Sequence, residues 1–473
     1  MNNIKQKYFF KVFFTLSILF ISFINSSAQE TAEVTPTVKT GKAPIIIVPG
    51  LTGSELVNKK TGDVVWFQKS RAKDDDIRLP ISPVLTRNRD SLVVKDIIRN
   101  IKFLKFLPEV EIYDKLLVSL EKRGGYQEGK WDAPPKDGYQ DTFYVFAYDW
   151  RRDNVENARL LMRKVNALKT KLRKPNLKFN VVAHSMGGLI TRYAAMYGDS
   201  DLPRGKASPT WAGSRNFDRV FLLGTPNEGS VTSLQAVLNG FSYIGGGLNL
   251  PFVQDVSKFD VFTIPSIYQL LPHNGTFNVY DENLQPLKID LLDPKVWDTY
   301  DWNIINDENF KKHFSAAEVK SAKAYFVNVL ARAKKFHEAL DANTRQSIPV
   351  SFYLLGGDCK ETPDSAIVYR DKKKNKWKTQ FNGGSFEREN GEKVSSEEIK
   401  KIIYTMGDGV VSKRSLAGET FVKNGRKAFL PVTSEIYLCE GHTKLITSAN
   451  AQDKLFALLF GEAVEQTTAE NKK

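Results

Sequence analysis

The hydrophobic pattern is dominated by short, continuous apolar runs that end at small or polar residues. The first run, Ala43–Val48, is rich in β-branched residues and stops at Pro49-Gly50. Such runs are typical of strands that are buried on both faces of a parallel sheet. The same pattern predicts further strands at Thr142–Ala147, Phe179–Ala183, Arg219–Leu223, Val350–Leu355 and Glu435–Leu438.

Amphipathic helices are predicted between these strands. An apolar stripe at helical spacing lies between the second and third strands, and it consists of Leu161, Val165, Leu168 and Leu172. A second helical pattern, Leu189–Met196, follows the third strand. Strands buried on both faces that alternate with amphipathic helices indicate a mostly parallel central sheet flanked by helices.

Three stretches interrupt this alternation. One covers about residues 56–121, and a longer one covers about residues 231–347 and includes a predicted helix over Ala316–Leu340. We interpret both as insertions at the functional rim of the sheet. The third, about residues 365–400, predicts a solvent-exposed hairpin with a lysine-rich tip, to which we assign no function.

The N-terminal segment is typical of a signal peptide. Lysines at positions 5, 7 and 11 precede and enter an apolar stretch, Val12–Ile24, which closes with a small-residue triplet ending at Ala28. The apolar stretch is shorter than the roughly 20 residues that a membrane-spanning helix needs. We therefore expect cleavage after Ala28 and an exported mature protein, either periplasmic or secreted.

The remaining chain divides by composition into three parts. Residues 29–42 are polar and rich in Thr, which predicts a short tether. Residues 43–464 hold all the predicted strands and helices, so we expect a single domain with insertions. Residues 465–473 are polar and predict a disordered tail.

The charge balance is basic, with a formal net charge of +14. Such a balance often accompanies nucleic-acid binding, but the expected export argues against it and no nucleic-acid motif occurs. Attraction to an anionic membrane surface is the better interpretation, with a plain solubilising surface as the alternative.

The sequence contains no metal-ligand cluster or phosphate loop, so we expect no cofactor and no metal.

Ser185 is the candidate nucleophile. It stands between a predicted buried strand and a predicted helix, with the small residues Ala183 and Gly187 two positions to either side. This is the nucleophile-elbow pattern, in which small flanking residues let the strand and the helix approach and leave the Ser side chain exposed. The strand before it and the helix after it make a chance turn serine the weaker interpretation.

His442 is the candidate base, because a Ser hydroxyl needs a neighbouring group that takes its proton. His184 adjoins Ser185 and should point away from it, while His273, His313 and His337 fall in the long insertion. His442 alone follows a strand of the predicted sheet. It also comes near the end of the chain, where the order Ser, acid, His expects the base.

Two residues compete as the acid that orients this base. Asp408 is bracketed by glycines in a tight loop, and Asp358 directly follows a predicted strand. Spacing favours Asp408 but does not exclude Asp358.

The backbone amides of Leu51 and Met186 are the candidate oxyanion hole, since they follow the first strand and the nucleophile.

A disulfide between Cys359 and Cys439 is chemically allowed in an exported protein. The two cysteines follow the ends of two late strands. If those strands are neighbours, the bond would brace the loops that present the acid and the base.

Several motifs together resemble the lecithin:cholesterol acyltransferase family of α/β-hydrolases, which includes lysosomal phospholipases and phospholipid:diacylglycerol acyltransferases. They occur in the family's order over nearly all of the mature chain, and the segment Tyr148–Arg151 is the most specific of them. The motifs are VPGLTGSEL, YDWR, AHSMGG, GTPNEGS, GDGVV and EGHTKL.

This resemblance implies an α/β-hydrolase fold and a triad of Ser185, Asp408 and His442, which raises Asp408 above Asp358. It implies a lipid acyl hydrolase or O-acyltransferase that forms an acyl-enzyme on phospholipid or other lipid esters. A generic exported esterase or triacylglycerol lipase is the alternative, and a non-catalytic lipid-binding or adhesion protein is less favoured. Hydrolysis and transfer to an alcohol remain open.

The resemblance also implies that residues 56–121 contact membranes and residues 231–347 form a cap or lid. Trp66 and Phe67 are then the candidate membrane contacts. A basic amphipathic helix is predicted next to them, with an ordinary core-packing helix as the equal alternative. Its apolar stripe is Val94, Ile97, Ile98, Ile101 and Leu104, opposite Lys95, Arg99, Lys102 and Lys105.

Overall fold

The computed structural model describes residues 41–67, 76–101, 110–242, 255–274, 277–342, 348–371, 375–422, 425–428, 430 and 432–461. The predicted signal peptide, most of the tether and the predicted tail lie outside the described residues. So do Lys102, Leu104, Lys105 and the lysines at positions 372–374.

A seven-stranded sheet forms the centre of the molecule, and each neighbouring pair of its strands is parallel. The strand order is β7-β6-β5-β4-β1-β3-β2. All of the strands predicted from apolar runs are present, whereas β2 is short and polar and was not predicted. The strands are β1 (Ile45–Val48), β2 (Gln127–Gly129), β3 (Thr142–Val145), β4 (Phe179–His184), β5 (Phe217–Leu223), β6 (Ser351–Gly357) and β7 (Ser434–Leu438).

Helices cover both faces of this sheet. The helices are α1 (Asp114–Lys122), α2 (Asn154–Lys171), α3 (Met186–Tyr197), α4 (Val231–Asn239), α5 (Lys258–Phe262), α6 (Pro265–Tyr268), α7 (Pro294–Thr299), α8 (Phe310–His313), α9 (Ala316–Leu340), α10 (Ser396–Ile403), α11 (Lys413–Ala417), α12 (Lys444–Thr447) and α13 (Ala449–Phe460). Three short 3₁₀ turns lie at Leu85–Arg87, Ser214–Asn216 and Ile304–Asn306.

The continuous apolar runs are explained by the two cores that the sheet separates. Ile45 and Ile47 belong to one apolar cluster together with residues of α1 and α13. Ile46 and Val48 belong to the other, together with residues of α2 and α3. Because successive side chains of a strand point to opposite faces, a strand between two helical layers needs an apolar residue at every position.

The first insertion contains strands before it reaches helix α1, and the predicted amphipathic helix over residues 94–104 is wrong where the chain is described. A three-stranded antiparallel sheet contains Ser54–Asn58, Val64–Trp66 and Leu92–Ile97. Asn100–Ile101 pairs with Val110–Glu111. Along Leu92–Ile97 more and less exposed residues alternate, which is the period of a strand, and β-branched residues favour that state.

The second insertion contains helices α4 to α9, and α9 has the predicted bounds. It also contributes strands to small sheets. Phe241–Ser242 pairs with Asp255–Val256, and Asn278–Tyr280 pairs with Pro286–Leu287.

The predicted hairpin in the third interruption exists, as Ser365–Asp371 and Lys376–Gln380, but it is not solvent-exposed throughout. Its first strand pairs with Asn278–Tyr280, so Ile367 and Val368 are fully buried. Three further antiparallel pairs complete the strands: Lys360–Pro363 with Tyr404–Gly407, Phe386–Glu387 with Lys393–Val394, and Glu419–Val422 with Gly425–Ala428. Across the described residues, no helix combines the length and apolarity needed to cross a membrane.

Candidate active site

Ser185 stands in a sharp turn between β4 and α3. Its backbone adopts φ 53° and ψ −126°, a conformation that L-residues with a side chain rarely occupy. Gly187 is required behind it, because a Cβ there would lie 2.4 Å from the Pro49 carbonyl oxygen. The turn therefore presents the hydroxyl at the first turn of α3, as the nucleophile-elbow pattern predicts.

The side chains of Ser185, His442 and Asp408 form one line of hydrogen bonds. His442 Nε2 lies 2.9 Å from Ser185 Oγ, and His442 Nδ1 lies 2.7 Å from Asp408 Oδ2. The other carboxylate oxygen of Asp408 accepts the amides of Val410 and Val411 at 2.9 and 2.7 Å. The carboxylate is buried and saturated with donors, which suits it to orient the imidazole and to stabilise an imidazolium.

The loops that carry the acid and the base are bound to each other through the backbone. The His442 amide donates to the Asp408 carbonyl at 2.9 Å. Gly224 leaves space for the imidazole, since a Cβ at this residue would lie 3.0 Å from His442 Nδ1. Gly357 does the same for the acid loop, because its Cβ would lie 2.7 Å from Asp408 Cβ.

Asp358, the competing acid, lies elsewhere. Its carboxylate pairs with Lys413 Nζ at 3.0 Å in a partly exposed ion pair. It follows a strand of the same sheet as the base does, but its carboxylate binds Lys413, whereas His442 Nδ1 is bound by Asp408. Asp408 is the carboxylate that the fold brings to His442.

The Leu51 loop lies directly beside Ser185. A Cβ on Gly50 would lie only 2.8 Å from Ser185 Cβ, so the loop passes as close as a glycine permits. Within the described part of the chain, the amides of Leu51 and Met186 donate to no protein acceptor. Two free amides next to a candidate nucleophile are the donors that an oxyanion hole requires.

The structure places Cys359 and Cys439 in a disulfide, with Cα atoms 5.0 Å apart. Strands β6 and β7 are neighbours, so the loops that follow them emerge side by side. The cross-link lies between the ends of these strands and close in sequence to His442.

Trp66 is not a membrane contact, and that prediction is wrong. Its indole is fully buried, donates to the Thr52 carbonyl at 2.9 Å and packs 5.2 Å from the Trp150 ring. Trp66 is the last residue of an edge strand of the small insertion sheet, and its side chain packs into the apolar core. Phe67 is half-buried and packs edge-on against Trp66, so its role as a membrane contact stays a prediction.

The motif Tyr148–Arg151 has a structural explanation that the sequence did not provide. The Arg151 side chain is fully buried, pairs with Asp149 at 2.8 Å and Asp90 at 2.5 Å, and donates to the Ile77 carbonyl. It therefore binds the first insertion to the sheet. Its pairing residue Asp90 lies 61 positions away, so no local signal identifies it.

The histidines of the second insertion make contacts that do not involve Ser185. His273 and His337 stack with centroids 3.9 Å apart, beside a cavity of about 730 Å³ that none of Ser185, Asp408 and His442 lines. His313 stacks on Phe259. Their exclusion as candidate bases therefore agrees with their positions. In the described residues, no group of three or more His, Cys, Asp or Glu is placed to hold a metal ion.

The parallel sheet, the elbow and the order Ser, acid, His define an α/β-hydrolase. Residues 107–418 match the sequence profile of the family described as "Lecithin:cholesterol acyltransferase", which is more than half of the chain. The chain belongs to the lecithin:cholesterol acyltransferase family and is therefore a lipid acyl hydrolase or acyltransferase. Ser185 and Asp408 lie within the matched residues, and His442 lies beyond them. Among curated proteins, none matches the sequence.

Solved structures that match the chain include a complex and two enzymes. The Tle4–Tli4 complex matches at 14% identity over 89% of this chain and 98% of that chain, with a TM-score of 0.49. The mature Bacillus licheniformis lipase BlEst2 matches at 12% identity over 89% of this chain and 93% of that chain, with a TM-score of 0.33. Phospholipase PlaB from Legionella pneumophila matches at 12% identity over 57% and 43%, with a TM-score of 0.22.

Proposed function

We propose that this protein is a serine-dependent phospholipid acyl hydrolase or O-acyltransferase that forms an acyl-enzyme on Ser185. The observation that carries the proposal is the line of hydrogen bonds from Ser185 through His442 to Asp408. The free amides of Leu51 and Met186 beside Ser185 support the same role, since they can stabilise an oxyanion. Family membership supports a lipid ester as the substrate.

Acylation begins when Ser185 Oγ attacks the ester carbonyl and His442 Nε2 takes the hydroxyl proton. Asp408 stabilises the imidazolium that results. The negative charge on the carbonyl oxygen is stabilised by the amides of Leu51 and Met186. When the tetrahedral intermediate collapses, the ester bond breaks and His442 returns the proton to the leaving alkoxide, which departs as an alcohol.

Deacylation repeats these steps with a second nucleophile. If water attacks the acyl-enzyme, the product is a free fatty acid and the enzyme is a hydrolase. If an alcohol attacks, the product is a new ester and the enzyme is an acyltransferase. His442 takes the proton of whichever nucleophile attacks and returns it to Ser185 Oγ. The partition depends on water exclusion and on how well the acceptor fits, because the chemistry of the two routes is otherwise the same.

The test uses purified protein and the Ser185→Ala variant with phospholipid vesicles, with and without a sterol or diacylglycerol acceptor. We expect the variant to lose about 10⁴-fold or more of the activity, because the nucleophile cannot be replaced. Free fatty acid alone identifies a hydrolase, and ester formed on the acceptor identifies a transferase. Equal activity of the two proteins would exclude Ser185 as the nucleophile.

The matched control is Ser214→Ala, which removes a buried hydroxyl that takes no part in the hydrogen bonds of the triad. Ser214 Oγ donates to the Trp211 carbonyl and lies in a 3₁₀ turn before β5. We expect this variant to keep its activity per folded molecule. A comparable loss in both variants would point to general destabilisation and would contradict the proposal.

A further inference from the structure

The peptide group that precedes Gly50 has both of its polar atoms bound by tyrosine hydroxyls. Tyr148 Oη donates to the Pro49 carbonyl at 2.7 Å. The Gly50 amide donates to Tyr113 Oη at 2.8 Å. The Pro49 carbonyl and the Gly50 amide belong to one planar peptide group, so its orientation is held from both sides. The next amide along the chain is that of Leu51, one of the two candidate oxyanion donors.

Tyr113 also connects this peptide to the nucleophile elbow. Its Oη accepts the Gly50 proton and lies 2.9 Å from His184 Nδ1. His184 Nε2 lies 3.3 Å from the carbonyl oxygen of His442. A carbonyl oxygen only accepts, which places the imidazole proton on Nε2 and leaves Nδ1 as the acceptor.

The arrangement requires a neutral His184, and its surroundings keep it neutral. Burial, together with the neighbouring His442, lowers the pKa of His184 to about 3. The two imidazole rings have centroids 4.9 Å apart. A charged His184 would present a proton to Tyr113 and would repel the imidazolium that His442 forms during catalysis. Burial raises the pKa of Tyr148 well above its usual value, so this hydroxyl stays a donor.

We infer that Tyr113, Tyr148 and His184 are positioning residues that hold the Leu51 amide and the His442 loop in register with Ser185. The inference rests on the proposed function, because it assigns these residues a role in the same acyl transfer. They act through the Gly50 peptide and the His442 carbonyl. Amides that are already oriented stabilise an oxyanion without reorganisation, and a displacement of about 1 Å is enough to cost roughly 100-fold in rate.

The first test compares Tyr113→Phe with the matched control Tyr126→Phe. Tyr126 Oη donates to the Ala43 carbonyl at 3.0 Å, at the opposite end of β1, so the control loses a similar bond away from the site. With a p-nitrophenyl ester we expect Tyr113→Phe to lower kcat about 10- to 100-fold with KM nearly unchanged. The control should keep the wild-type kcat.

The inhibition constant of an alkylboronic acid distinguishes a positioning role from a merely structural one, because loss of stability alone would not change it. Boron accepts the Ser185 oxygen and forms a tetrahedral adduct, which places an oxygen in the oxyanion hole. We expect the inhibition constant of Tyr113→Phe to rise by the same factor by which its kcat falls. Rates are counted per site labelled by a fluorophosphonate, so misfolded protein does not enter the comparison.

The second test uses His184→Gln and His184→Phe. The Gln amide offers an acceptor to Tyr113 and a donor to the His442 carbonyl, whereas Phe fills the space without either. We expect Gln to retain most of the activity and Phe to lose it about as Tyr113→Phe does.

The inference would be overturned if Tyr113→Phe kept the wild-type kcat and boronate affinity, or if the two His184 variants lost equal activity. Either result would leave the proposed function standing. Full activity of Ser185→Ala would overturn the proposed function itself.

Discussion

The edge of the sheet that carries Ser185, Asp408 and His442 is held in place by different contacts from those that hold the first insertion. At the edge, the residues Ser185, Asp408 and His442 sit on short loops whose backbone amides and carbonyls bind one another, and glycines provide the space. In the first insertion, the buried Trp66 indole and the Arg151 ion pairs make the contact with the sheet.

Because of this difference, substitutions in the two regions should affect different properties, namely the reaction rate at the edge and the folding stability in the insertion. A polar side chain at the edge contributes a specific hydrogen bond and little apolar area, so its loss should mainly change the reaction. A large buried side chain in the insertion contributes area and packing, so its loss should mainly change folding.

Asp408→Asn should give the largest effect and tests the edge. The amide would place a donor against His442 Nδ1 and favour the wrong tautomer, so we expect kcat to fall about 10⁴-fold with little change in the melting temperature. Asp358→Asn is the control. It loses a partly exposed ion pair with Lys413, worth about 1 kcal/mol or less, and should keep its activity. A similar fall in both variants would contradict the assignment of the acid.

Trp66→Ala tests the insertion. We expect the free energy of unfolding to fall by about 3–5 kcal/mol, because a fully buried ring and its hydrogen bond to Thr52 are lost. Phe67→Ala should cost less, since that ring is half-buried. Chemical denaturation measures both. Unchanged stability with weaker binding to anionic vesicles would instead restore Trp66 as a membrane contact.

Replacing Cys359 and Cys439 together by Ala sharpens the comparison, since it asks whether the edge also depends on a covalent link. Closing a long loop restricts the unfolded chain, so we expect a loss of about 2–4 kcal/mol in unfolding free energy. The kcat should fall far less than in Asp408→Asn, because the His442 amide still donates to the Asp408 carbonyl. A kcat loss as large as that of Asp408→Asn would show that backbone bonds alone do not hold the edge.

Local sequence was informative wherever a local cause operates. Six of the seven described strands of the central sheet are predicted because burial on both faces leaves an apolar run, and the polar strand β2 is not. Ser185 was predicted because the elbow demands small residues within two positions of it. The first insertion was misinterpreted, since its β-branched residues occur at a spacing that fits a helix as well as a strand, and only pairing with Ser54–Asn58 decides between them.

The choice between Asp408 and Asp358 shows the same limit at the site. Both residues follow or flank late strands, and both lie before His442 in the chain. Which carboxylate reaches His442 depends on the direction in which each loop turns. The glycines on either side of Asp408, Gly407 and Gly409, do not reveal that direction. Family resemblance favoured Asp408, and the fold brings its carboxylate to His442.

By itself, the sequence determined the layered architecture, because the apolar runs and the amphipathic stripes are local patterns. It also predicted Ser185 as the nucleophile, from the small residues within two positions of it, and His442 as the base, by elimination and by its place after a late strand. Only the tertiary structure decided which carboxylate meets the base, that Trp66 is buried, and that Tyr113 and His184 connect the oxyanion loop to the base loop. Those contacts join residues 34, 14 and 63 or more positions apart. Asp408 and His442 meet because they lie in segments that follow the carboxyl ends of the neighbouring strands β6 and β7. Trp66 and Tyr113 reach their partners through the packing of the first insertion and α1 against the sheet. No single segment encodes either kind of contact.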